Sequence, residues 1–485
     1  MITALKPYQV YLLLALGILL NFYLIANEYY FALAYPLAVL VVIAALFAAD
    51  KVLLFVVFFT PLSINLDKFE VIQAGFYMPT EPLLFGIMVL YLMRVLAGDG
   101  ISKRFLKHPI TISILIYLGW ILITSFTSSM FVVSIKFFTV KLWFITACYF
   151  FAKEIFADYH NMKRYVWLYI IPLTGVILYT VIRHSTYAFS HETAHWVMEP
   201  FYKDHTSYGA LLAMFFPLTI GFLFNKRYGA ILRMGVLVVV LIFAVGIILS
   251  YTRAAWISLV VAFGVFVVMK LRIDFKLLVL LGVILGGLFL ANYDQIMLEL
   301  ERNEQDSSDD FGEHVQSISN ISSDASNLER LLRWNCAIRM FQDRPVFGFG
   351  PGTYQFQYAT YQFSYEKTII STNFGDGGNA HSEYLGPLAE SGLLGMLTFG
   401  FLVTVVLVRG IRLYYRIEDP EMKILLMGVI LGLITYVTHG VLNNYLDTDK
   451  ASVPFWGFIA IIVSIELYHI NRGKEPLSKA ESAAE

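Results

Sequence analysis

Charge is scarce in this chain. Lys, Arg, Asp and Glu together make up 15% of its 485 residues, against roughly 25% in soluble domains, so an ordinary water-facing globular surface is excluded. The charges that remain nearly cancel, to a formal net charge of −1, which excludes a general attraction to nucleic acid. Cysteine is nearly absent too. Cys148 falls in an apolar run and Cys336 in a long polar connection, so the two differ in depth and no disulfide framework is expected. No removable leader is expected either: the first apolar stretch carries one Lys, lacks a small-residue cleavage pattern, and is followed by a second apolar run soon after Ala26.

What is abundant is hydrophobic sequence, 58% of residues. Runs of about 17 to 25 apolar residues, each long enough to cross roughly 30 Å of hydrocarbon as a helix, begin near Tyr8, Tyr30, Val52, Pro82, Pro109, Val132, Tyr165, Tyr208, Gly229, Ala254, Phe275, Tyr384, Lys423 and Ser452. The chain is therefore expected to be an all-α polytopic membrane protein with about 12 to 14 transmembrane helices. The run from Val52 is the weakest, being short and interrupted by Pro61.

Positive charge clusters in alternate connections. Lys103, Arg104 and Lys107 share one; Lys153, Lys163 and Arg164 the next; Lys226, Arg227 and Arg233 a third; Lys270, Arg272 and Lys276 a fourth; Arg409, Arg412, Arg416 and Lys423 a fifth. The positive-inside rule makes these cytoplasmic and puts both termini on the same side. The expected organisation is N-terminal helices over 1–182, an outer loop over 183–207, central helices over 208–291, a large extracytoplasmic loop with short amphipathic helices over 292–383, C-terminal helices over 384–470 and a cytoplasmic tail over 471–485.

The large outer loop has two halves. Glu299 to Asn327 is rich in Ser, Asp, Asn and Glu, which favours solvation over packing. Asp306, Asp309 and Asp310 have no fixed ligand spacing, so a solvated acidic stretch is the better reading than a metal site. From Leu328 to Phe341 apolar residues recur with helical period between basic ones, predicting an amphipathic helix at the membrane surface that stops at Asp343-Arg344-Pro345. Gly348-Phe349-Gly350-Pro351-Gly352 follows. No Lys-Ser/Thr comes after it and no strand before it, so a tight turn is preferred to a phosphate cradle.

The chemistry concentrates where this loop re-enters the bilayer. His381 opens the polar patch His381-Ser382-Glu383 directly before an apolar run. An imidazole at such a boundary, with an ordinary pKa of about 6.5, can take a proton from an alcohol at neutral pH. Arg253 lies in a very short outer connection between two apolar runs. Its planar, permanently charged fork matches phosphate oxygens, although an arginine that merely snorkels to the interface occupies the same place. Asp204-His205 precedes the helix expected from Tyr208, where a carboxylate caps exposed N–H groups; a part in sugar binding is the alternative. His184, His439 and His469 are scattered and read as structural or exposed. Asn443, Asn444, Asp447 and Asp449 form a further polar connection.

Two competing signals belong to other classes. His191-Glu192-Thr193-Ala194-His195 spells the zinc-protease pattern, in which two histidines one helical turn apart hold the metal and the glutamate is the base. Its flanks allow only a brief helix, and no third ligand stands out. Lys136 and Lys141 lie inside an apolar run, as a transporter for lipid-linked sugars requires.

Together, these pieces resemble the O-antigen ligase and O-antigen polymerase superfamily of bacterial membrane glycosyltransferases. The ligase motif is His, then Asn, Ser or Gln, then nine residues, Gly, two residues, and Gly, Thr or Tyr; His381-Ser382, Gly392 and Gly395 satisfy it in full. Thr252-Arg253-Ala254-Ala255-Trp256, Arg330 with Trp334, and Pro345-Val346-Phe347-Gly348-Phe349-Gly350 look similar to further family patterns and occur in the family's order. The resemblance covers roughly 203–398. It implies a GT-C-like fold in a bacterial inner membrane and transfer of a glycan from an undecaprenyl diphosphate carrier to a hydroxyl of a lipid or glycan acceptor, without metal or cofactor. His381 would be the base and Arg253 and Arg330 the diphosphate ligands, with Arg333, one helical turn from Arg330, as a competitor; Ser382, Glu383, Asp204 and His205 would be secondary. Where the family commonly has Leu four positions after the first arginine, this chain has Ile257. Ligase-type transfer is favoured over polymerisation, with protein O-glycosylation third. Sugar, acceptor and oligomeric state are not encoded in these motifs.

Overall fold

The computed structural model describes residues 7–27, 48–66, 76–273, 325–363 and 378–470. It is almost entirely helical. The helices that matter here are α1 (Pro7–Ala26), α2 (48–59), α3 (Thr80–Leu96), α4 (Pro109–Phe126), α5 (Phe131–Ile155), α6 (Tyr159–Ser185), α7 (His205–Leu223), α8 (Ala230–Leu249), α9 (Arg253–Leu271), α10 (Ala325–Asp343), α11 (Leu385–Arg416), α12 (Pro420–His439) and α13 (Asp449–His469). A single two-stranded antiparallel pair, Ile64–Asn65 with Tyr77–Met78, is the only sheet among the described residues.

Nine of these helices, α4 to α9 and α11 to α13, are long and apolar enough to cross a membrane. The runs expected from Tyr8, Val52 and Pro82 correspond to α1, α2 and α3; those from Tyr30 and Phe275 lie outside the described residues, as do Asp306, Asp309, Asp310 and the tail. The polytopic all-α reading therefore holds.

The helices start where sequence chemistry lets them. The Asp419 carboxylate accepts from the backbone N–H groups of Glu421 and Met422, both at 2.9 Å, with Pro420 in the first turn of α12. Asp204 caps α7 in the same way, through Ser207 N–H at 2.7 Å. Inside the bundle, α12 and α13 are the most enclosed spans, while α8 and α9 form the exposed rim. Lipid tails give no hydrophobic drive between helices, so close backbone approach matters more. Gly432 of α12 provides it: a Cβ there would sit 2.5 Å from the Met214 carbonyl oxygen of α7.

The two ends of the bundle differ in chemistry. One, the histidine end, gathers the starts of α7, α9 and α11 and the finish of α12, hence His205, Arg253, His381 and His439. The other gathers the basic connections. There the buried Glu421 receives Lys163 at 2.8 Å and Arg227 at 2.6 Å, and Glu466 receives His108 and Arg409, each at 3.2 Å. These pairs tie α6, α7 and α12, and α4, α11 and α13, at their ends.

The amphipathic helix predicted from Leu328 is present as α10. Its Cys336, Ala337 and Met340 are buried against Phe349, Tyr354, Tyr358 and Ala389, so the returning chain and the start of α11 cover part of its apolar face. Cys148 and Cys336 belong to different clusters and form no disulfide.

Removing the charge at Glu421 leaves Lys163 and Arg227 without their shared carboxylate. The arginine is more than half exposed, so screening limits the cost, and Glu421→Gln is expected to lower stability by about 1–2 kcal/mol. Thermal unfolding of the detergent-solubilised protein would register this as a lower midpoint; an unchanged midpoint would show that the pair contributes nothing.

Candidate functional site

His381 is held by backbone as much as by side chains. Its φ is 47°, a left-handed conformation that a residue with a Cβ adopts at a cost of order 1–3 kcal/mol and that clusters at functional positions. The conformation is maintained from both sides. The His381 N–H donates to the Asn379 side-chain oxygen at 3.0 Å, and the Trp334 indole N–H reaches the His381 carbonyl at 3.5 Å. Directly after it, the Ser382 hydroxyl accepts from the N–H groups of Tyr384 and Leu385, both at 3.3 Å, which caps α11. Glu383 is buried and gathers three donors: Tyr436 O–H at 2.7 Å, Tyr445 N–H at 2.8 Å and Leu446 N–H at 2.9 Å. Ser382 and Glu383 thus act on the scaffold, one on the helix start and one on the 440–446 connection.

The glycines of the histidine motif have a packing reason. Gly392 interrupts α11 with φ 69°, and a Cβ there would lie 2.2 Å from the Val346 carbonyl oxygen. The break admits the 345–350 turn: Leu393 N–H donates to the Pro345 carbonyl at 3.0 Å, while Phe349 and Gly350 N–H donate to the Ala389 and Glu390 carbonyls. Gly350, at φ 113°, passes so close to Ser128 that no side chain fits. The Phe349 and Gly350 N–H groups are thus spent on α11 and that of Gly348 on the Arg344 carbonyl, in keeping with a plain turn.

Arg330 and Arg333, one helical turn apart on α10, are used differently. Arg333 is buried, bonded to Glu329 at 2.7 Å, and its guanidinium stacks 3.8 Å above the Tyr358 ring. Its own carbonyl accepts Tyr354 O–H at 2.7 Å. Arg330, half-buried, lies within electrostatic reach of His381, His205, His439 and Tyr445. Between the two competitors, Arg333 therefore braces the loop and Arg330 sets the field of the histidine cluster.

Burial, then the charges of Arg330 and Arg333, push the His381 pKa down to about 4, against an opposing pull from Asp204. The His381 imidazole is thus uncharged at pH 7. Asp204 is held below its usual range: burial alone would raise it, but hydrogen bonds from Ser207 N–H and the Thr206 hydroxyl outweigh that. His205 stands beside Asp204 in the first turn of α7, its ring 4.2 Å from that of His195. Arg253 opens α9, half-buried, with its neighbour Thr252 donating to the His205 carbonyl at 2.8 Å. The histidine end therefore brings His381, Arg330, Asp204 and His205 together and sets Arg253 against the start of α7.

A cavity of about 520 Å³ adjoins the motif. Asn379, Ala380, Ser382 and Glu383, on either side of His381, form one wall, and Asp204, Asn444 and Tyr445 contribute another. Lys136 and Lys141 both line it, and Lys141 also bonds Asp447 and the Leu446 carbonyl, each at 2.8 Å. Lys141 thus anchors the 440–447 connection from the cavity wall. His191 and His195 sit at a short 3₁₀ turn, Thr193–His195, rather than on the α-helix the protease pattern requires. No group of three or more His, Cys, Asp and Glu among the described residues is arranged to hold a metal.

Sequence reasoning gave no part to Glu390 or Lys450, placed Asp449 in a polar connection, and read His439 as structural or exposed. Glu390 accepts the Tyr354 N–H at 3.0 Å and so fixes the chain after the 345–350 turn. His439 is buried, with neither ring nitrogen hydrogen-bonded. Asp449 and Lys450 form a buried network with Ser63 and Thr80. The unusual density of ionisable residues at the start of α13 was the available signal.

The fold and the site define a multi-pass helical membrane protein with a loop-bound histidine and arginines gathered at one end of the bundle. Within it, residues 236–400 match the model of the O-antigen ligase family, and this segment holds Arg253, Arg330 and His381. A curated relative, a probable peptidoglycan glycosyltransferase FtsW of Geobacter metallireducens, is 26% identical over 110 residues, 20% of this chain and 29% of the relative. The chain thus spans less than a third of that relative's length.

Since the Arg330 charge depresses His381, Arg330→Gln should raise the pKa of His381 from about 4 toward its ordinary value. The pH dependence of diethyl pyrocarbonate modification, read on the His381 peptide by mass spectrometry, would report it. Identical profiles for variant and wild type would mean that burial and Arg333 set the value without Arg330.

Proposed function

We propose that the protein is a glycosyltransferase of ligase type. It moves a glycan from an undecaprenyl diphosphate carrier in the bacterial inner membrane to an acceptor hydroxyl at the extracytoplasmic face. The observation that carries this reading is the neutral, strained His381 facing the Arg330 charge inside the family-matched segment. The FtsW relative, a probable peptidoglycan glycosyltransferase, lends support from a second source.

The chemistry runs as one displacement. The acceptor hydroxyl gives its proton to the unprotonated His381 nitrogen as its oxygen bonds to the anomeric carbon. The bond from that carbon to the diphosphate oxygen breaks, and its electron pair leaves with the diphosphate. Arg253 and Arg330 are the groups assigned to carry the growing charge, and their fixed guanidinium forks need no reorganisation to do so. Donor binding also prepares the base. A diphosphate between the arginines offsets the positive field that depresses His381, so its basicity rises toward the range useful at pH 7 when the leaving group is in place. The 520 Å³ cavity beside Ser382 is the space assigned to the acceptor.

A positioned base contributes about 10²–10⁴-fold. His381→Ala should therefore lose transfer by at least two orders of magnitude while keeping donor binding, and Arg253→Lys should fail because a point charge replaces a fork. The test is the surface-glycan profile of a deletion strain carrying wild type or His381→Ala, resolved by size with its lipid-linked intermediates. Long glycan stranded on the carrier above a bare acceptor is the ligase outcome. Acceptors bearing single repeats would replace it with the polymerase reading, and loss of glycan from protein with other surface glycans intact would replace it with protein O-glycosylation. Wild-type profiles from His381→Ala would remove the histidine from the mechanism.

A further inference from the structure

The basic end of the bundle holds a second cavity, of about 1050 Å³, between α7, α9 and α12. Its walls are apolar side chains such as Phe224, Val260, Phe263, Phe266, Ile424 and Met427. Val260 and Phe263 are largely uncovered by protein, so the groove opens sideways toward lipid.

Four cations converge on its mouth: Lys226 and Arg227 just after α7, Lys270 in the last turn of α9, and Lys423 in the first turn of α12. Arg227 is already committed, at 2.6 Å each, to Asp419 and Glu421. Lys423 sits 4.9 Å from the Tyr414 ring centroid. None of the three lysines forms an ion pair among the described residues, and Lys226 and Lys270 are exposed.

An apolar groove capped by lysines without counterions specifies its occupant from both ends. A soluble anion would leave the apolar volume unfilled, and a lipid with a neutral headgroup would leave the lysines unneutralised. We propose that this groove binds one anionic diacyl phospholipid. Its phosphate lies among Lys226, Lys270 and Lys423, and its acyl chains run along Phe263 and Phe266 of α9 and Met427 of α12. Basic pockets between transmembrane helices recognise lipid headgroups in this manner. The site is separate from the histidine end: Arg253 and Lys270 stand at opposite ends of one helix, and at about 1.5 Å rise per residue they are roughly 25 Å apart. The lipid therefore belongs to the opposite leaflet from the one facing His381, and its binding is independent of the transfer reaction proposed above.

The full-length protein, delipidated and returned to nanodiscs of phosphatidylcholine doped with phosphatidylglycerol, provides the test by native mass spectrometry. One phosphatidylglycerol per chain should be retained in at least tenfold preference over phosphatidylcholine, and phosphatidylglycerol alone should raise the thermal midpoint. The triple variant Lys226→Gln, Lys270→Gln, Lys423→Gln should abolish the preference, while Lys103→Gln with Arg104→Gln, elsewhere among the basic connections, should keep it. Equal retention of the two lipids by the wild type would overturn the proposal without recourse to any variant. So would an undiminished preference in the triple variant, or retention of a polyprenyl lipid in place of phosphatidylglycerol.

Discussion

A neutral imidazole held beside fixed guanidinium charge is the constraint on which the histidine end depends. The two groups repel as soon as the ring takes a proton, so burial and the fields of Arg330 and Arg333 act in the same direction and hold His381 well below its ordinary pKa. Such an arrangement is costly for stability and poorly suited to catalysis by itself, since a base of pKa about 4 is weak. It becomes useful once an anion enters. The proposed donor is dianionic at its reacting end, and the same charge that recruits it is relieved by it.

Holding that arrangement takes most of the polar connections at this end. Arg333 braces α10 through Glu329 and Tyr358, the 345–350 turn locks α10 to the break in α11, and Glu383 draws the 440–446 connection underneath. Gly392 serves this architecture, because its break in α11 lets the Pro345–Val346 backbone approach. A site built from chain segments as distant as Asp204, Arg330, His381 and Tyr445 needs such fastening, because a misplacement of about 1 Å is enough to cost catalysis two orders of magnitude.

Much of this was legible in the residues. Apolar run length gave away the spans because the bilayer imposes a single length scale, and the histidine motif pointed to the end of α11 that carries the site. The amphipathic α10 was readable from periodicity, but its partner was not: Cys336, Ala337 and Met340 look equally suited to lipid and to Phe349 and Tyr354. The separate duties of Arg330 and Arg333 were only partly legible: Glu329 stands four positions before Arg333, the spacing of a local helical ion pair, but the Tyr358 ring against its guanidinium is a tertiary contact. Glu383 looked like part of the site by adjacency to His381. Its three donors come from Tyr436, Tyr445 and Leu446, a separation in sequence that no local pattern encodes. The Asp449 and Lys450 network is similar, closing against Ser63 and Thr80 from the other end of the chain.

The most direct measurement is the titration of His381 with and without saturating undecaprenyl diphosphate, by histidine-selective nitrogen NMR of the purified protein. A midpoint near 4 that moves up toward 6.5 when the diphosphate binds is the expected result, because the ligand cancels the guanidinium field. A midpoint indifferent to the diphosphate would contradict the central claim, by showing that the arginines and the histidine do not share a substrate.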